Sequence, residues 1–408
     1  MSRSFVLILL GMMLLTATFA ALPVEADAQS RTEVVSEPLS SQPYDVYGAR
    51  YHLMTEQDML TLREKVGVRQ IGVDYNAIID GHGTGLAPPT EQEWQEMVGT
   101  QKVFDQDQSE PPTLPMSYDI SLQPYFPKVG DQGSQGSCGA WASTYYCYGY
   151  LEAKDNDWTD AKAGTNLSHL MSPAWTFNRV NSGGTAGSWM ANNFQVIIEW
   201  GVPSLATMPY DDGDALGWGG PAAYREAPLH RASSFSTDYY VNGNTAINEI
   251  KSSISSNIPV SFALDAYEYS GNLGDNILTA SEYSSTTYNH ANAFVGYDDN
   301  ISAGTEHGAF KVVNSWGSGF GVGGYYWLTY DAVKEIASTS YLWLTTVTDE
   351  QDHVPSMLGV WHFNSAPVRT GYIQLGIGSH ASPSVTRTAT FDDDSDESMS
   401  TFMCLDIS

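Results

Sequence analysis

The chain has 408 residues, more than one ordinary domain needs, and 42% of them are hydrophobic, which is ample for a packed core. It carries 18 basic and 47 acidic residues, for a formal net charge of −29. Because binding to a phosphate backbone requires clustered Lys and Arg, this balance excludes nucleic acid as the expected partner. Excess carboxylate instead keeps a protein surface hydrated.

Residues 1–28 predict a secretory signal peptide. Arg3 precedes an apolar run from Phe5 to Ala20, and small residues that suit cleavage end at Ala20 and Ala28. The run is short for a membrane-spanning helix, although an uncleaved anchor stays open. We therefore expect a secreted or cell-surface protein with no membrane span after the signal is removed.

Residues 29–113 predict an N-terminal arm or a propeptide, because they are polar and rich in Gln, Glu and Pro. Two helices are expected in this segment. The first begins after Thr55 and ends at Gly67, and the second begins with a capping box formed by Thr90 and Glu93. The turn-rich stretch "DGHGTG" lies between them. Whether the segment is removed stays open.

A domain over residues 114–348 follows the linker-like stretch "DQSEPPTLP". Its helical patterns, "CGAWASTYYCYGYLEAK" and "MANNFQVIIEWG", come first. Alternating patterns typical of strands follow in "HANAFVGYDD", "GAFKVVNSW" and "GGYYWLTY". Helices followed by strands predict an α+β fold.

Residues 349–408 predict a small β module, from the patterns "YIQLGIG" and "SVTRTATF". The module is a candidate for binding a surface ligand. Its acidic stretch 392–398 fits a solvated turn better than a cation loop, because it lacks the Gly and terminal Glu of a calcium hand.

Cys138 is a candidate nucleophile. The chain has three cysteines, an odd and scattered set that does not form a disulfide framework. Cys138 follows Gly136 and Ser137 and precedes a helix-forming run, and a helix N-terminus lowers a thiol pKa. Gln132, on the same loop, could donate with the Cys138 backbone N–H to a developing oxyanion. The alternative for Cys138 is a buried structural thiol.

A base and a residue that orients it are also present. Among nine histidines, His290 stands at the start of an alternating strand, where an imidazole would be held rigidly. Asn314 ends another strand pattern, and its carbonyl could accept from one imidazole nitrogen. Trp316, two residues on, could shield that hydrogen bond. Considered singly, His290 would be interpreted as an exposed strand-edge histidine, Asn314 as a turn residue and Trp316 as an ordinary core residue.

The order Cys, His, Asn at long range, with "NHA" and "NSWG…GFG…GGY", resembles the papain-like cysteine peptidases over about 115–345. The resemblance implies a two-lobed domain, with a helical lobe and then an antiparallel β-barrel-like lobe. It implies that Cys138 is the nucleophile and His290 the general base and acid. Asn314 would orient His290, Gln132 would complete the oxyanion hole, and Trp316 would cover the Asn–His pair.

The resemblance also implies that Gly183 and Gly184 bind the main chain of a substrate. Three positions depart from the family pattern. Gln135 and Asn181 stand where the family has the two halves of a disulfide, and Gly139 replaces an aromatic residue directly after the nucleophile. Trp141 is a candidate to compensate for that aromatic residue.

The expected activity is hydrolysis of peptide bonds in polypeptide substrates through a thioester acyl-enzyme, by an endopeptidase that needs no metal or organic cofactor. The main alternative is a catalytically silent adhesion or binding protein on the same fold. An acyltransferase is disfavoured because it would usually place an Asp third. A metal hydrolase is disfavoured because His and carboxylates do not cluster at ligand spacing.

Overall fold

A computed structural model describes residues 49–70, 72–106, 113–181, 184, 187–269, 273–362, 371–379, 382–391 and 400–408. All described residues belong to one compact unit. The predicted signal peptide, Gly183 and the acidic stretch 392–398 lie outside the described residues. No helix in the described ranges has the length and apolar character needed to cross a bilayer.

The α-helices, in chain order, are α1 (Glu56–Val66), α2 (Glu91–Met97), α3 (Cys138–Ala140), α4 (Gly149–Asp155), α5 (Pro173–Val180), α6 (Met190–Trp200), α7 (Pro221–Glu226), α8 (Gly243–Ser255) and α9 (Tyr330–Ser340). A π-helix, Trp141–Tyr148, joins α3 to α4, so that residues 138–155 form one helical stretch. Short 3₁₀ turns occupy Ile120–Leu122, Leu167–His169, Ala227–Leu229 and Ala266–Tyr269.

The strands are β1 (Arg50–Leu53), β2 (Ile78–Ile79), β3 (His82–Gly83), β4 (Lys102–Gln106), β5 (Ser117–Asp119), β6 (Ala232–Tyr240), β7 (Val260–Leu264), β8 (Ile277–Leu278), β9 (His290–Ala303), β10 (Glu306–Val313), β11 (Tyr325–Thr329), β12 (Leu342–Asp349), β13 (Leu358–His362), β14 (Gly371–Ser379), β15 (Ser382–Phe391) and β16 (Phe402–Asp406). Within the described ranges they form a ten-stranded sheet, in the order β1-β4-β6-β12-β7-β9-β10-β11-β8 with β5 on β9. The pairs β2–β3, β13–β16 and β14–β15 are separate.

The α+β prediction is confirmed: helices α3 to α7 precede strands β6 to β12 of the main sheet, although β1, β4 and β5 of the same sheet come before α3. The helix caps in the arm also agree with the sequence. Thr55 caps α1 and Gly67 ends it, and the Thr90–Glu93 capping box begins α2. Helix α2 ends at Met97, two residues before the glycine at position 99, because Val98 already has an extended backbone.

The N-terminal arm, residues 49–106, is part of the main sheet. Strand β4 pairs in parallel with β6, with Phe104 opposite Tyr240, and the two rings stack at 4.7 Å between centroids. Strand β1 pairs with β4 on the outer side. Leu62 of α1 and Trp94 of α2 are buried in the same hydrophobic core as the sheet. The arm therefore shares its core with the rest of the protein.

The C-terminal module, residues 349–408, packs on α6 and α7 through strands β15 and β16. All of β16 is buried, and the Arg225 guanidinium of α7 lies over the ring of Phe402, 4.5 Å from its centroid. Asp406, at the end of β16, forms an ion pair with Arg231 at 2.7 Å. The predicted strands β14 and β15 are present. The surface-ligand role stays a prediction.

Candidate active site

Two loops are joined beside α3, one carrying Gln132 and the other Asn314. The Gln132 backbone N–H donates to the carbonyl of Ser315 at 2.8 Å, and the Ser315 hydroxyl donates to Gln132 Oε1 at 2.6 Å. Because Oε1 is engaged by Ser315, the amide nitrogen of Gln132 faces the opposite side. There it donates to the carbonyl of Gln135, at 2.8 Å, and to that of Thr84, at 3.3 Å.

Cys138 begins the helical stretch 138–155 and is completely buried. Burial raises the pKa of its thiol to about 12, although hydrogen bonds from the backbone N–H groups of Ala291 and Gly139 oppose the rise. Ala291 follows His290 on β9. The thiol therefore lies at the point where α3 meets the beginning of β9.

His290 and Asn314 form a direct hydrogen bond, in which the imidazole Nε2–H donates to Asn314 Oδ1 at 2.8 Å. Since Oδ1 can only accept, the neutral imidazole carries its proton on Nε2 and has its lone pair on Nδ1. Nδ1 is buried and has no hydrogen-bond partner among the described residues. Burial lowers the pKa of His290 to about 4, and the hydrogen bond that the imidazole donates to Asn314 opposes this shift. The Trp316 indole packs over the imidazole, with 4.9 Å between centroids.

The arm occupies this cleft. The carbonyl oxygen of Thr84 accepts from the Cys138 backbone N–H at 3.4 Å and from the Gln132 amide at 3.3 Å. The carbonyl of the preceding Gly83 accepts from the Trp316 indole N–H at 3.0 Å. The two donors that the sequence assigned to an oxyanion hole thus converge on one peptide oxygen of the chain itself.

The following arm residues continue through the cleft in extended form. The Leu86 N–H donates to the carbonyl of Asn289 at 3.0 Å. Ser188 donates its N–H to the carbonyl of Gly85 at 3.0 Å and accepts from the N–H of Ala87 at 3.1 Å. Main-chain pairing with the arm therefore runs through Ser188. The role predicted for Gly183 and Gly184 stays a prediction, since Gly183 lies outside the described residues.

Gly85 is the residue that lets the arm approach so closely. Its φ is +95°, and a Cβ atom at this position would lie 2.0 Å from the carbonyl oxygen of Gly136. Both the left-handed backbone and the backbone-to-backbone approach require glycine.

Comparison with known proteins assigns the chain to a family. The model of the papain family cysteine proteases matches residues 114–343, which is more than half of the chain. This chain belongs to the papain family of cysteine proteases. The predicted resemblance is therefore confirmed.

Two curated relatives are cathepsin J of Mus musculus and a cathepsin L-like proteinase of Fasciola hepatica. The first is 29% identical over 53% of this chain and 61% of the relative, and the second is 26% identical over 52% and 59%. The chain thus spans about three fifths of the length of the curated relatives it matches.

Solved structures of family members are also similar. Xylellain, a cysteine protease from Xylella fastidiosa, is 19% identical over 67% of this chain and 99% of its own, with a TM-score of 0.44. The bromelain protease from Ananas comosus is 20% identical over 58% and 99%, with a TM-score of 0.43.

The disulfide missing from this family member is replaced by hydrogen bonds to a third loop. Gln135 donates to the carbonyl of Asp214 at 3.2 Å, and Asn181 donates to that of Ala215 at 2.7 Å. Both positions are thereby tied to the loop over residues 211–217 instead of to each other. All three cysteines lie in the described ranges, and all are free and buried.

Gly139, the other departure, is closely surrounded by the side chains of Ser188 and Asn193. A Cβ atom there would be 3.1 Å from the Ser188 hydroxyl and 3.3 Å from the Asn193 amide. Trp141 packs elsewhere, on the loop that carries Gln132, since a Cβ at Gly130 would lie 2.0 Å from its ring. Trp141 therefore supports that loop from the π-helix.

Sequence reasoning missed the residues that complete the site from a distance. Ser315, which orients Gln132, is adjacent to Asn314 in the family motif and could have been considered with it. Thr84 is flanked by two glycines in "GHGTG", a pattern that suits close backbone approach as well as a turn.

Proposed function

We propose that this chain is a cysteine peptidase, with Cys138 as nucleophile, His290 as base and acid, and Asn314 orienting the imidazole. The observation that carries the proposal is the position of the Thr84 carbonyl between the Cys138 N–H and the Gln132 amide. Donors aimed at one oxygen beside a thiol are what stabilise the oxyanion of a tetrahedral intermediate.

In the proposed reaction, His290 Nδ1 takes the proton of Cys138 and the thiolate attacks the substrate carbonyl carbon. The oxyanion that forms accepts from the Cys138 N–H and from Gln132. Collapse of the intermediate breaks the C–N bond as the imidazolium protonates the leaving amine, and a thioester remains. Water, deprotonated by His290, then attacks the thioester and releases the acid and the thiol.

In this proposal, the protein is inactive while residues 83–87 of the arm fill the cleft. Burial raises the pKa of Cys138 and lowers that of His290, so both groups are neutral while the arm fills the cleft. Release of residues 83–87 would admit water and favour the thiolate–imidazolium pair. We accordingly assign residues 29–113 the role of an inhibitory segment, while the papain-family domain of residues 114–348 carries the reaction.

The direction of the arm explains why it would resist cleavage. A leaving amine must face His290, which lies under Trp316. The arm residue bonded to Trp316 is Gly83, which precedes Thr84, whereas the amine of the Thr84–Gly85 bond belongs to Gly85 on the side of Ser188. The arm thus runs opposite to the direction that would present its amine to the imidazole.

An endopeptidase fits this cleft best, because extended chain passes on both sides of the Thr84 carbonyl, from Trp316 to Ser188. A cleft closed at one end would instead suit trimming of chain termini. Polypeptides are the proposed substrates. The apolar run at residues 5–20 supports an extracytoplasmic location.

The test is covalent labelling of the full chain by an epoxysuccinyl thiol probe between pH 4 and 8, together with cleavage of a peptide library. Both are measured in the wild type and in Gly85→Ala, in which a Cβ atom 2.0 Å from the carbonyl oxygen of Gly136 would displace residues 83–87 from the cleft. Adducts are mapped by mass spectrometry, and Cys147 and Cys404 serve as internal references. In the Gly85→Ala background we expect labelling at Cys138 that is lost with His290→Ala, and cleavage that is lost with Cys138→Ala. Equal reactivity of the three thiols, with no cleavage at any pH, would favour the silent binding protein instead.

A further inference from the structure

A second polar layer lies behind Asn314, on the side away from the cleft. Asn292 stands two residues after His290 on β9, so both side chains lie on the same face of the strand. Asn292 is 1% exposed, and its Nδ2 donates to Asn314 Oδ1 at 3.2 Å and to the carbonyl of Ala291 at 2.8 Å.

Two tyrosines fix the other end of Asn292. The Tyr269 hydroxyl donates to Asn292 Oδ1 at 2.6 Å, and the Tyr326 hydroxyl lies 3.1 Å from the same oxygen. The two phenols are also 3.2 Å apart. Because phenol donors engage the oxygen of Asn292, its amide nitrogen must face Asn314.

Asn314 Oδ1 thereby accepts from three N–H groups: His290 Nε2 at 2.8 Å, the Ser315 backbone at 2.7 Å and Asn292 at 3.2 Å. A rotated Asn314 amide would bring its own NH₂ group against all three donors. Asn314 Nδ2 itself is buried without a hydrogen-bond partner among the described residues, so nothing on that side holds the amide in place.

We propose that Asn292, held by Tyr269 and Tyr326, is a positioning residue that fixes the Asn314 amide so that its oxygen faces His290. This keeps the imidazole proton on Nε2 and the lone pair of Nδ1 free for the thiol. The inference rests on the proposed peptidase function for its kinetic consequence, but the placement of the proton is a property of the resting protein.

Removal of the Asn292 side-chain donor leaves the Ser315 backbone N–H to hold the Asn314 oxygen, so the expected loss is partial. In Asn292→Leu, which removes the donor at similar volume, we expect kcat for peptide cleavage to fall about five- to tenfold, as for one buried hydrogen bond. KM should change less than about twofold, because Asn292 does not face the cleft that the arm fills.

Two measurements test the proposal on the full chain. The first is ¹⁵N NMR of histidine-labelled protein, with the His290 signals assigned by their loss in His290→Gln. Wild-type His290 should show the single Nε2-protonated form, and Asn292→Leu should show a mixture of the two neutral tautomers. The control is Thr345→Val, which removes another buried hydrogen bond of the sheet, at 2.9 Å from Thr237. It should leave the His290 signals unchanged.

The second measurement is a double-mutant cycle of kcat with Asn314→Ala. If Asn292 acts through Asn314, Asn292→Leu should have no further effect in the Asn314→Ala background. The proposal is overturned if the fall in kcat is the same in both backgrounds, or if the tautomer does not change in Asn292→Leu. A tautomer change in Asn292→Leu, together with a wild type that cleaves no peptide, would uphold the positioning role and refute the proposed function.

Discussion

The N-terminal arm and the C-terminal module both pack on the papain-family domain, but different groups hold them. In the cleft, the arm is bound by backbone hydrogen bonds beside two neutral groups, Cys138 and His290. The module is anchored by a charged pair, in which the side chains of Arg231 and Asp406 are 8% and 1% exposed. Withdrawal of residues 83–87 from the cleft would break these neutral hydrogen bonds, whereas detachment of the module would separate the Arg231–Asp406 ion pair. If the proposed inhibitory role of the arm is right, this difference favours opening at residues 83–87.

The largest expected effect on the reactivity of Cys138 is release of the arm by Gly85→Ala. The new Cβ would overlap the carbonyl of Gly136, so residues 83–87 should leave the cleft. We expect labelling of Cys138 to become at least about tenfold faster, because a clash of this kind and a left-handed alanine each disfavour the closed form. The measurement is the rate of adduct formation at pH 6 in the full chain.

Gly81→Ala is the matched control, since Gly81 also has a positive φ, +86°, but a Cβ there has no neighbour within 4 Å. Gly81→Ala should have the same conformational penalty, that of alanine at a positive φ, without the steric clash. Equal acceleration in both variants would show that strain in the turn, rather than closure of the cleft, governs access to Cys138.

The anchor of the module should respond to Asp406→Asn. Asp406 accepts from Arg231 at 2.7 Å and lies 2.8 Å from His353 Nε2, so the variant leaves a buried guanidinium with a weaker partner. We expect a loss of about 3 kcal/mol in the free energy of unfolding, measured in urea. Asp331→Asn, which removes an exposed pair with Lys334, should cost less than about 0.5 kcal/mol. A loss that small at Asp406 would mean that packing of β15 and β16, rather than the ion pair, holds the module.

Acid should weaken the surroundings of the arm and the anchor of the module at different pH values. The folded pKa of His290 lies below its unfolded value of about 6.5, so its contribution to stability is complete above that pH and is lost as pH falls through about 4. Burial acts to raise the pKa of Asp406, but hydrogen bonds from Ser408 and Arg231 outweigh it and leave that pKa below its ordinary value. The contribution of Asp406 is therefore complete above about pH 4 and is lost only below it.

The measurement is urea unfolding at pH 7 and pH 4.5 for the wild type and for His290→Gln, which cannot titrate at this site. The wild type should lose about 2 to 3 kcal/mol more than the variant between the two pH values. If both lose the same amount, the buried imidazole does not contribute to acid sensitivity.

The sequence predicted what is encoded locally. The caps at Thr55 and Thr90 and the strand that begins at His290 follow from side chains within a few residues of each other. The pairing of His290 with Asn314 was predicted from their order and context, because the family motif carries long-range information that spacing alone does not.

Long-range chain paths were not predictable in this way. The parallel pairing of β4 with β6 brings together residues more than a hundred positions apart, and no local pattern specifies it. The entry of Thr84 into the cleft depends on backbone approach at Gly85, which reads in the sequence as an ordinary turn. The contacts of Asn292 join three separate segments, each of which looks like core or strand by itself.

The smallest expected effect comes from the helix cap of α2. It tests whether a less stable arm makes Cys138 more accessible to labelling. Thr90 and Glu93 form the capping box of α2, and Glu93 also accepts from Asn192 of α6 at 2.7 Å. Thr90→Ala should cost about 1 kcal/mol of unfolding free energy. If the arm opens as a unit, labelling of Cys138 should become about fivefold faster, which is the same energy expressed as a rate.

Thr329→Ala removes the corresponding cap from α9, where Thr329 accepts from the N–H of Ala332 at 3.1 Å. Because Thr329 also donates to Glu306 at 2.5 Å, the variant should lower the stability by at least as much as Thr90→Ala. It should leave labelling unchanged, because α9 lies outside the arm. Equal acceleration in the two variants would mean that Cys138 becomes accessible through global unfolding. Acceleration in Thr90→Ala alone would show that the arm opens while the papain-family domain stays folded.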